Sequence, residues 1–147
     1  MNKEFCFNTP NKLFNLFTSN KPHMDYCELN QIHSDIVITV DDNYQNNTEG
    51  DAMITTKKNI PLVIKTADCI PIILYDEEKQ VLALIHSGWK GTLKKITSKT
   101  VRKMIKRYHS NPLNITAYLY PSIRKCHFEI EDDVYKLFKE KITNIDE

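Results

Sequence analysis

Hydrophobic positions in this chain follow two periodicities. From Asp35 to His86 they come in short, unbroken runs: DIVITV at Asp35–Val40, DAMIT from Asp51, PLVIKT from Pro61, IPIILY at Ile70–Tyr75 and VLALIH at Val81–His86. The runs are rich in β-branched residues and of strand length, so they predict five strands within about fifty residues. Several are apolar throughout rather than alternating, as strands covered on both faces are, which places their sheet in the middle of the fold. The charged DEEKQ between the last two runs is a connection of hairpin length and predicts an antiparallel pair.

After His86 the spacing changes. Leu93, Ile96, Thr100, Met104 and Tyr108 recur at steps of three and four, with lysines and arginines on the other face, and predict a helix over Gly91–His109. A strand, Asn114–Tyr120, is expected next. A second amphipathic helix follows with Asp132 as N-cap and Val134, Leu137, Phe138 and Ile142 on one side. The polar run Asp41–Gly50 reads as a surface loop between strands. The expected class is α+β, with mixed β-sheets layered with helices.

Composition narrows this further. The 147 residues, 41% of them hydrophobic, suit one core and hence one domain over 1–147. Lys and Arg total 20 against 19 Asp and Glu, a net charge of +1, which gives no global reason to expect nucleic acid or membrane as a partner. The start, MNKEFCFNTPNK, lacks the apolar core of a signal peptide, and no run approaches the roughly 20 apolar residues of a spanning helix, so a cytoplasmic location is expected. Cys6, Cys27, Cys69 and Cys126 form no C-x-x-C pair and are expected as reduced thiols.

The candidate chemistry lies in His33, Cys69 and His86, which this reading places at strand ends. Side chains there can converge while the backbone stays rigid. Two imidazoles and a thiolate would offer a tetrahedral Zn²⁺ three ligands and leave the fourth position open, the pattern of a catalytic rather than a structural site. Spacing alone also allows, and by itself favours, a surface His33, a small buried Cys69 and a hydrogen-bonded core His86. Two of the three glycines, Gly88 and Gly91, flank Trp89–Lys90 in HSGWKG, where backbone amides entering a helix can approach an anion. An ordinary strand-to-helix turn has the same pattern.

The segments NQIHSDIVITV, GDAMITTKKNIPLVIKTADCIPIILYD, VLALIHSGWKGTL and YPSIRKCHFEI, in this order, resemble the YfiH family of laccase-domain proteins, and the resemblance covers the stretch from Leu29 to Val134. The most specific pieces are TADC followed by a proline-containing apolar strand, and H-x-G-W-[RK]-G seventeen residues beyond that cysteine. The resemblance implies a fold similar to that of the cysteine hydrolases named after cytotoxic necrotizing factor. It also implies that His33, matching the family's Q-x-H histidine, Cys69 and His86 are metal ligands, with zinc as the cofactor. The implied activity is phosphorolysis of purine nucleosides such as adenosine, inosine and methylthioadenosine, with adenosine deamination alongside it; purine nucleoside and phosphate are the implied partners.

In that reading Cys69, His86 and Asp68 form the catalytic group. Asp68 would shuttle protons or orient a ligand, although a side chain adjacent to Cys69 in a strand points to the opposite face. Trp89 and Lys90 would contact substrate, Lys90 standing where many members have arginine and attracting phosphate without the bidentate geometry of a guanidinium. The chain departs from the pattern at both ends. LFTSNKPHMDYCELN stands for the usual F-[ST]-T-R-x-G-G-V-S, and the chain stops at Glu147, soon after the CHFEI segment. It therefore reads as a short member, compact or incomplete. Tyr120 precedes Pro121 where the family has glycine, which predicts an aromatic ring near the pocket and a changed substrate range.

Three other readings compete. Cys69 can be a metal-free nucleophile with His86 as its base, giving a hydrolase. The chain can be a catalytically impaired module that binds a nucleotide or phosphate. Copper is less suited than zinc, because the trio would hold one copper at most and multicopper oxidation needs more than the chain's five histidines. Lys94, Lys95, Lys99, Arg102, Lys103, Lys106 and Arg107 put seven cations on one helix. No aromatic residues interleave them, and an acidic stretch at Glu129–Asp133 offsets them, so no nucleic-acid partner is expected.

Overall fold

Val81–Ser87 (β8) is the central strand, and all seven of its residues are buried. Its alternation sends Leu82 and Leu84 to one face and Val81, Ala83 and Ile85 to the other. Each face has a cover, which is why the run is apolar throughout. β8 belongs to a mixed five-stranded sheet with Val37–Thr39 (β4), Ala52–Thr55 (β5), Ile70–Asp76 (β7) and Ile115–Leu119 (β9), in the order β4-β5-β8-β7-β9. The predicted hairpin is present, β7 and β8 pairing antiparallel in the register Ile73↔Leu84. β4 runs parallel to β5, and β5 and β9 run antiparallel to their neighbours β8 and β7.

The computed structural model describes residues 25–142 together with the backbone of two strands, Lys3–Asn8 (β1) and Phe14–Thr18 (β2). β2 pairs antiparallel with β1, β1 pairs antiparallel with Leu62–Thr66 (β6), and Cys27–Glu28 (β3) joins β6 in parallel, giving a second sheet of order β2-β1-β6-β3. Part of LFTSNKPHMDYCELN, and the side chains of Cys6 and His23, lie outside the described residues. Leu62 and Ile64 of β6 meet Met53, Ile73, Leu82 and Leu84 to form the core between the sheets. On the outer face of the five-stranded sheet, Ile96 and Met104 of the helix Ile96–Tyr108 (α2) pack on Ala52, Ile72, Ala83 and Ile85. The order of layers is sheet, sheet, helix, the α+β arrangement expected.

The first predicted helix is divided. Trp89–Leu93 (α1) begins two residues earlier than expected, from Gly88 as N-cap, and Lys95 at φ 61° separates it from α2. Leu93 and Ile96 are both buried, and the left-handed turn at Lys95 lets the two segments follow different faces at a cost of about 1–2 kcal/mol. The C-terminal helix, Asp132–Lys141 (α3), has Glu131 rather than Asp132 as N-cap, and no side chain caps it. Asp132 and Asp133 instead occupy its first turn, where a carboxylate complements the helix dipole. β4 starts later than the predicted Asp35, because the Ile36 carbonyl turns aside to accept the Asp51 and Ala52 amides.

Four of the seven predicted cations tie α2 and the turn before it to the ends of β4. Lys99 and Lys94 pair with Asp35, Arg107 pairs with Asp41, and the Lys103 ammonium donates to the Val37 carbonyl. Among the described residues, no helix is long and apolar enough to cross a membrane.

Candidate metal centre

His86 shares the parity of Leu82 and Leu84, so its side chain enters the space between the sheets, where it is 3% exposed. Its N–H donates to the Asp51 carbonyl at 2.7 Å, one step beyond the register pair Ala52↔Ile85. Cross-strand partners present their side chains on the same face. The Asp51 carboxylate, wholly buried, therefore meets His86 Nδ1 at 2.8 Å. With Nδ1–H committed to a carboxylate, Nε2 is the nitrogen left to accept a proton or a metal.

Asp51 also organises the loop that carries His33. The backbone N–H groups of Ile32, His33 and Ser34 all donate to its carboxylate, at 3.3, 3.1 and 2.6 Å, and the Ser34 hydroxyl adds a fourth bond at 2.7 Å. Successive amides wrapping one anion form a nest. It holds His33 at φ 55°, a left-handed conformation that a residue with a side chain adopts only when its surroundings fix it. His33 thus sits in a bend ahead of β4 rather than at the strand end expected. Cys69 closes the bend 67–69 between β6 and β7.

The three residues converge. One donor atom from each lies within 4.8 Å of the others, and among the described residues they are the one group of three or more His, Cys, Asp or Glu that could hold a metal ion. Cys69 Sγ is 3.9 Å from His33 Nε2, close to the roughly 3.6 Å between a sulfur and a nitrogen on a tetrahedral zinc. The imidazoles of His33 and His86 stand edge to face, centroids 4.9 Å apart. Gly88 leaves the room they need, since a Cβ there would lie 2.9 Å from His33 Cδ2 and 3.1 Å from Cys69 Sγ.

Electrostatics bind the group together. Burial pulls the His86 pKa down, but the hydrogen bonds to Asp51 and Cys69 and the charges of both outweigh it and lift it to about 9. Burial likewise works to raise Asp51, yet the bonds from His86 and Ser34 hold it below the usual carboxylate value.

Two cavities open on either side of Cys69. One, of about 220 Å³, is walled by Ile70, Trp89, Ile123, Phe128 and Phe138. The other, of about 550 Å³, holds His33 and His86 and is lined by Asn30, Gln31, Asn47, Lys65 and Thr66. Asp68 and Cys69 line both. Asp68 is in the bend rather than in a strand, so the alternation that would turn it away does not apply; its carbonyl accepts the Ile123 amide at 3.0 Å. Lys90 lines neither cavity, its ammonium lying over the Trp89 ring at 5.4 Å from the centroid. Tyr120 packs against the core between the sheets and lines neither cavity.

Asp51 was not singled out by the sequence. The available signal for Asp51 was an acid directly before a fully apolar strand, in GDAMIT.

The chain matches the family described as multi-copper polyphenol oxidoreductase laccase over residues 11–147. It is 41% identical over 115 residues to a purine nucleoside phosphorylase of Clostridium acetobutylicum, covering 78% of this chain and 48% of the relative. A purine nucleoside phosphorylase of Rickettsia prowazekii is 35% identical over 120 residues, 82% of this chain and 49% of the relative. Among solved structures, the hypothetical protein YfiH of Bacillus licheniformis has a TM-score of 0.74 at 30% identity, over 78% of this chain and 46% of that one. The chain spans about half the length of the curated relatives it matches.

Proposed function

The chain belongs to the multi-copper polyphenol oxidoreductase laccase family, the YfiH family, and on that premise we propose that it is a zinc-dependent purine nucleoside phosphorylase, with adenosine deamination as a secondary activity. The observation that carries this reading is the convergence of His33, Cys69 and His86 around donor atoms within 4.8 Å of one another, in a chain whose relatives are named for that activity.

The residues fit zinc by donor type, by spacing and by the room that Gly88 leaves. His33, Cys69 and His86 would hold the ion, and a fourth position would remain open. Zinc would supply Lewis acidity at a substrate or water oxygen. Asp51 fixes the His86 tautomer and the His33 loop, so neither imidazole has to be ordered when the site fills. Asp68, facing both cavities, would carry the proton that moves between phosphate and purine. Trp89 would give the nucleoside a wall on which to stack, and the Lys90 ammonium lies over the same ring. Copper fits less well, since the described residues gather a single three-ligand group.

One observation favours a second reading. Asp51, His86 and Cys69 also form a carboxylate–imidazole–thiol relay, the arrangement of a cysteine nucleophile with an oriented base. It leaves the approach of His33 without a role.

Metal analysis of the chain purified without added metal, with nucleoside phosphorolysis assayed on the same sample and on Cys69→Ala, tests the proposal. Near one zinc per chain and phosphate-dependent release of purine, both lost in Cys69→Ala, are expected. Wild type without metal, or a mutant with activity intact, would overturn it. Alkylation of Cys69 that abolishes turnover in metal-free protein would establish the relay instead.

A further inference from the structure

We infer that the Ser87 hydroxyl selects the base: it meets the aromatic cavity as a hydrogen-bond acceptor only, so the cavity takes purines that bring an N–H donor, as adenosine and inosine do, and disfavours a purine ring that brings none. This inference rests on the phosphorylase reading above and names the hydrogen-bonding class of its substrate.

Ser87 ends β8 and stands opposite Ile70 in the β7–β8 register. Cross-strand partners share a face, so the Ser87 side chain leaves the sheet with that of Ile70, on the side away from His86. Both residues line the aromatic cavity, as does Thr92 of α1. The Thr92 hydroxyl lies 2.9 Å from the Ser87 hydroxyl, which fixes the Ser87 side chain on the α1 side of the sheet.

A third atom sets the direction of that bond. Thr92 Oγ1 donates to the Gly88 carbonyl at 3.0 Å, and a carbonyl oxygen can only accept. A hydroxyl has a single proton, so Thr92 has none left for Ser87. Ser87 is therefore the donor between the two, and its own proton is committed to Thr92. What remains on Ser87 Oγ is lone pairs. The residue is 4% exposed, and around it the cavity is walled by Ile70, Trp89, Ile123, Phe128 and Phe138. An acceptor in such surroundings is costly to leave unpaired. A ring that fills the cavity has to supply the donor that water would otherwise give.

Adenosine carries an exocyclic amine and inosine a ring N–H. Purine riboside, the nucleoside of the unsubstituted ring, offers only nitrogen lone pairs on its base. The three share one sugar and one bicyclic ring, so stacking on Trp89 is much the same for all of them. The difference falls on the hydrogen bond. A site built to accept a substrate N–H rejects the analogue that lacks it, because its own buried group is then left unpaired.

The full chain serves for the test. Trp89 is its only tryptophan, so intrinsic fluorescence reports binding in the aromatic cavity without any need for turnover. Adenosine and inosine should bind about tenfold or more tightly than purine riboside. Ser87→Ala should bring the three within about threefold of one another, by weakening the first two. Thr92→Val separates selection from packing. The Gly88 carbonyl keeps the Thr92 backbone N–H at 2.9 Å, while the Ser87 proton is released to donate to a ring nitrogen. Purine riboside should then bind this variant about threefold or more tightly than it binds wild type. Either variant carries the test if the other fails to fold. An absent or equal response of wild type to the three nucleosides would overturn the inference, as would purine riboside binding unmoved in Thr92→Val. Equal weakening of all three in Ser87→Ala would put a sugar hydroxyl on Ser87 and overturn it too. If wild type turns over no nucleoside yet binds in this order and loses the order in Ser87→Ala, the base site stands and the phosphorylase reading falls.

Discussion

The two sides of the candidate site are built in different ways. The ligand side grows out of the most buried part of the molecule, where β8 has no exposed residue and Asp51 is sealed beneath the His33 loop. The aromatic side is made by the segment after β7 and β8, where four of five β9 residues are exposed and α3 buries none of its side chains. Leu119 is 69% exposed and Leu113 91%. The His33, Cys69 and His86 group is therefore coupled to the stability of the core, whereas the aromatic cavity depends on a segment tied to the rest by backbone bonds such as Ile123 to Asp68 and Tyr120 to Pro71. The two properties should separate under mutation.

The largest effect is expected at Asp51. Asp51→Ala leaves His86 Nδ1, three amides and the Ser34 hydroxyl without their acceptor, and should destabilise the chain by on the order of 3–5 kcal/mol in denaturant unfolding while abolishing metal retention. A loss below about 1 kcal/mol would mean that the core does not support the ligand side.

Next comes pH, measured on chelator-treated protein. The folded His86 pKa of about 9 lies above the ordinary 6.5, so the stabilisation it contributes is fully present below pH 6.5 and is lost as pH rises through 9. The span corresponds to roughly 3 kcal/mol at most. Asp51, shifted down, contributes in the opposite sense, present above pH 3.8 and lost as pH falls below it. A Asp51→Asn chain should lose most of the alkaline slope in urea titrations; an unchanged slope would assign it to other groups.

Gly88→Ala should act more locally, since its methyl group meets His33 and Cys69 rather than the core. Competition with a chelator is expected to show metal affinity lowered about 10- to 100-fold. The unfolding midpoint should move little, and a large drop in stability would blur the comparison. The smallest effect belongs to the exposed edge: Leu119→Lys should change stability by less than about 0.5 kcal/mol and leave metal content unaltered. If the change is larger and depends on protein concentration, β9 is covered by self-association in solution.

Much of the fold could be read from the chain because its signals were local. Unbroken apolar runs marked β5, β7 and β8 as covered on both faces, and DEEKQ marked the hairpin. The convergence of His33, Cys69 and His86 was legible through their motifs rather than their spacing. Asp51 was not, because an acid at a loop end ordinarily reads as solvated, and only the β5–β8 register puts it opposite His86. The break at Lys95 was hidden for a related reason: lysine gives no sign of a positive φ, and the helical spacing runs through it without interruption. Lys90 drew notice by its place in a motif, yet the structure sets its ammonium over the Trp89 ring and outside both cavities.

The β7–β8 hairpin also bears on how the ligand set comes together in time. Cys69 directly precedes the pair Ile70↔Ser87, and His86 lies opposite Pro71, so closing one short contiguous segment brings thiol and imidazole side by side. Hairpins form in about 1–10 μs, whereas contacts distant in the chain wait on costlier loop closure. His33 joins through Asp51, eighteen residues along the chain, and Asp51 must itself find β8. In pulse-labelling hydrogen exchange during refolding, the amides of Ile72–Leu74 and Leu82–Ile85 should gain protection before those of Ile32–Ser34. Two of the three donors would then be in position at an early stage, and the last to arrive is the exposed histidine at the mouth of the polar cavity.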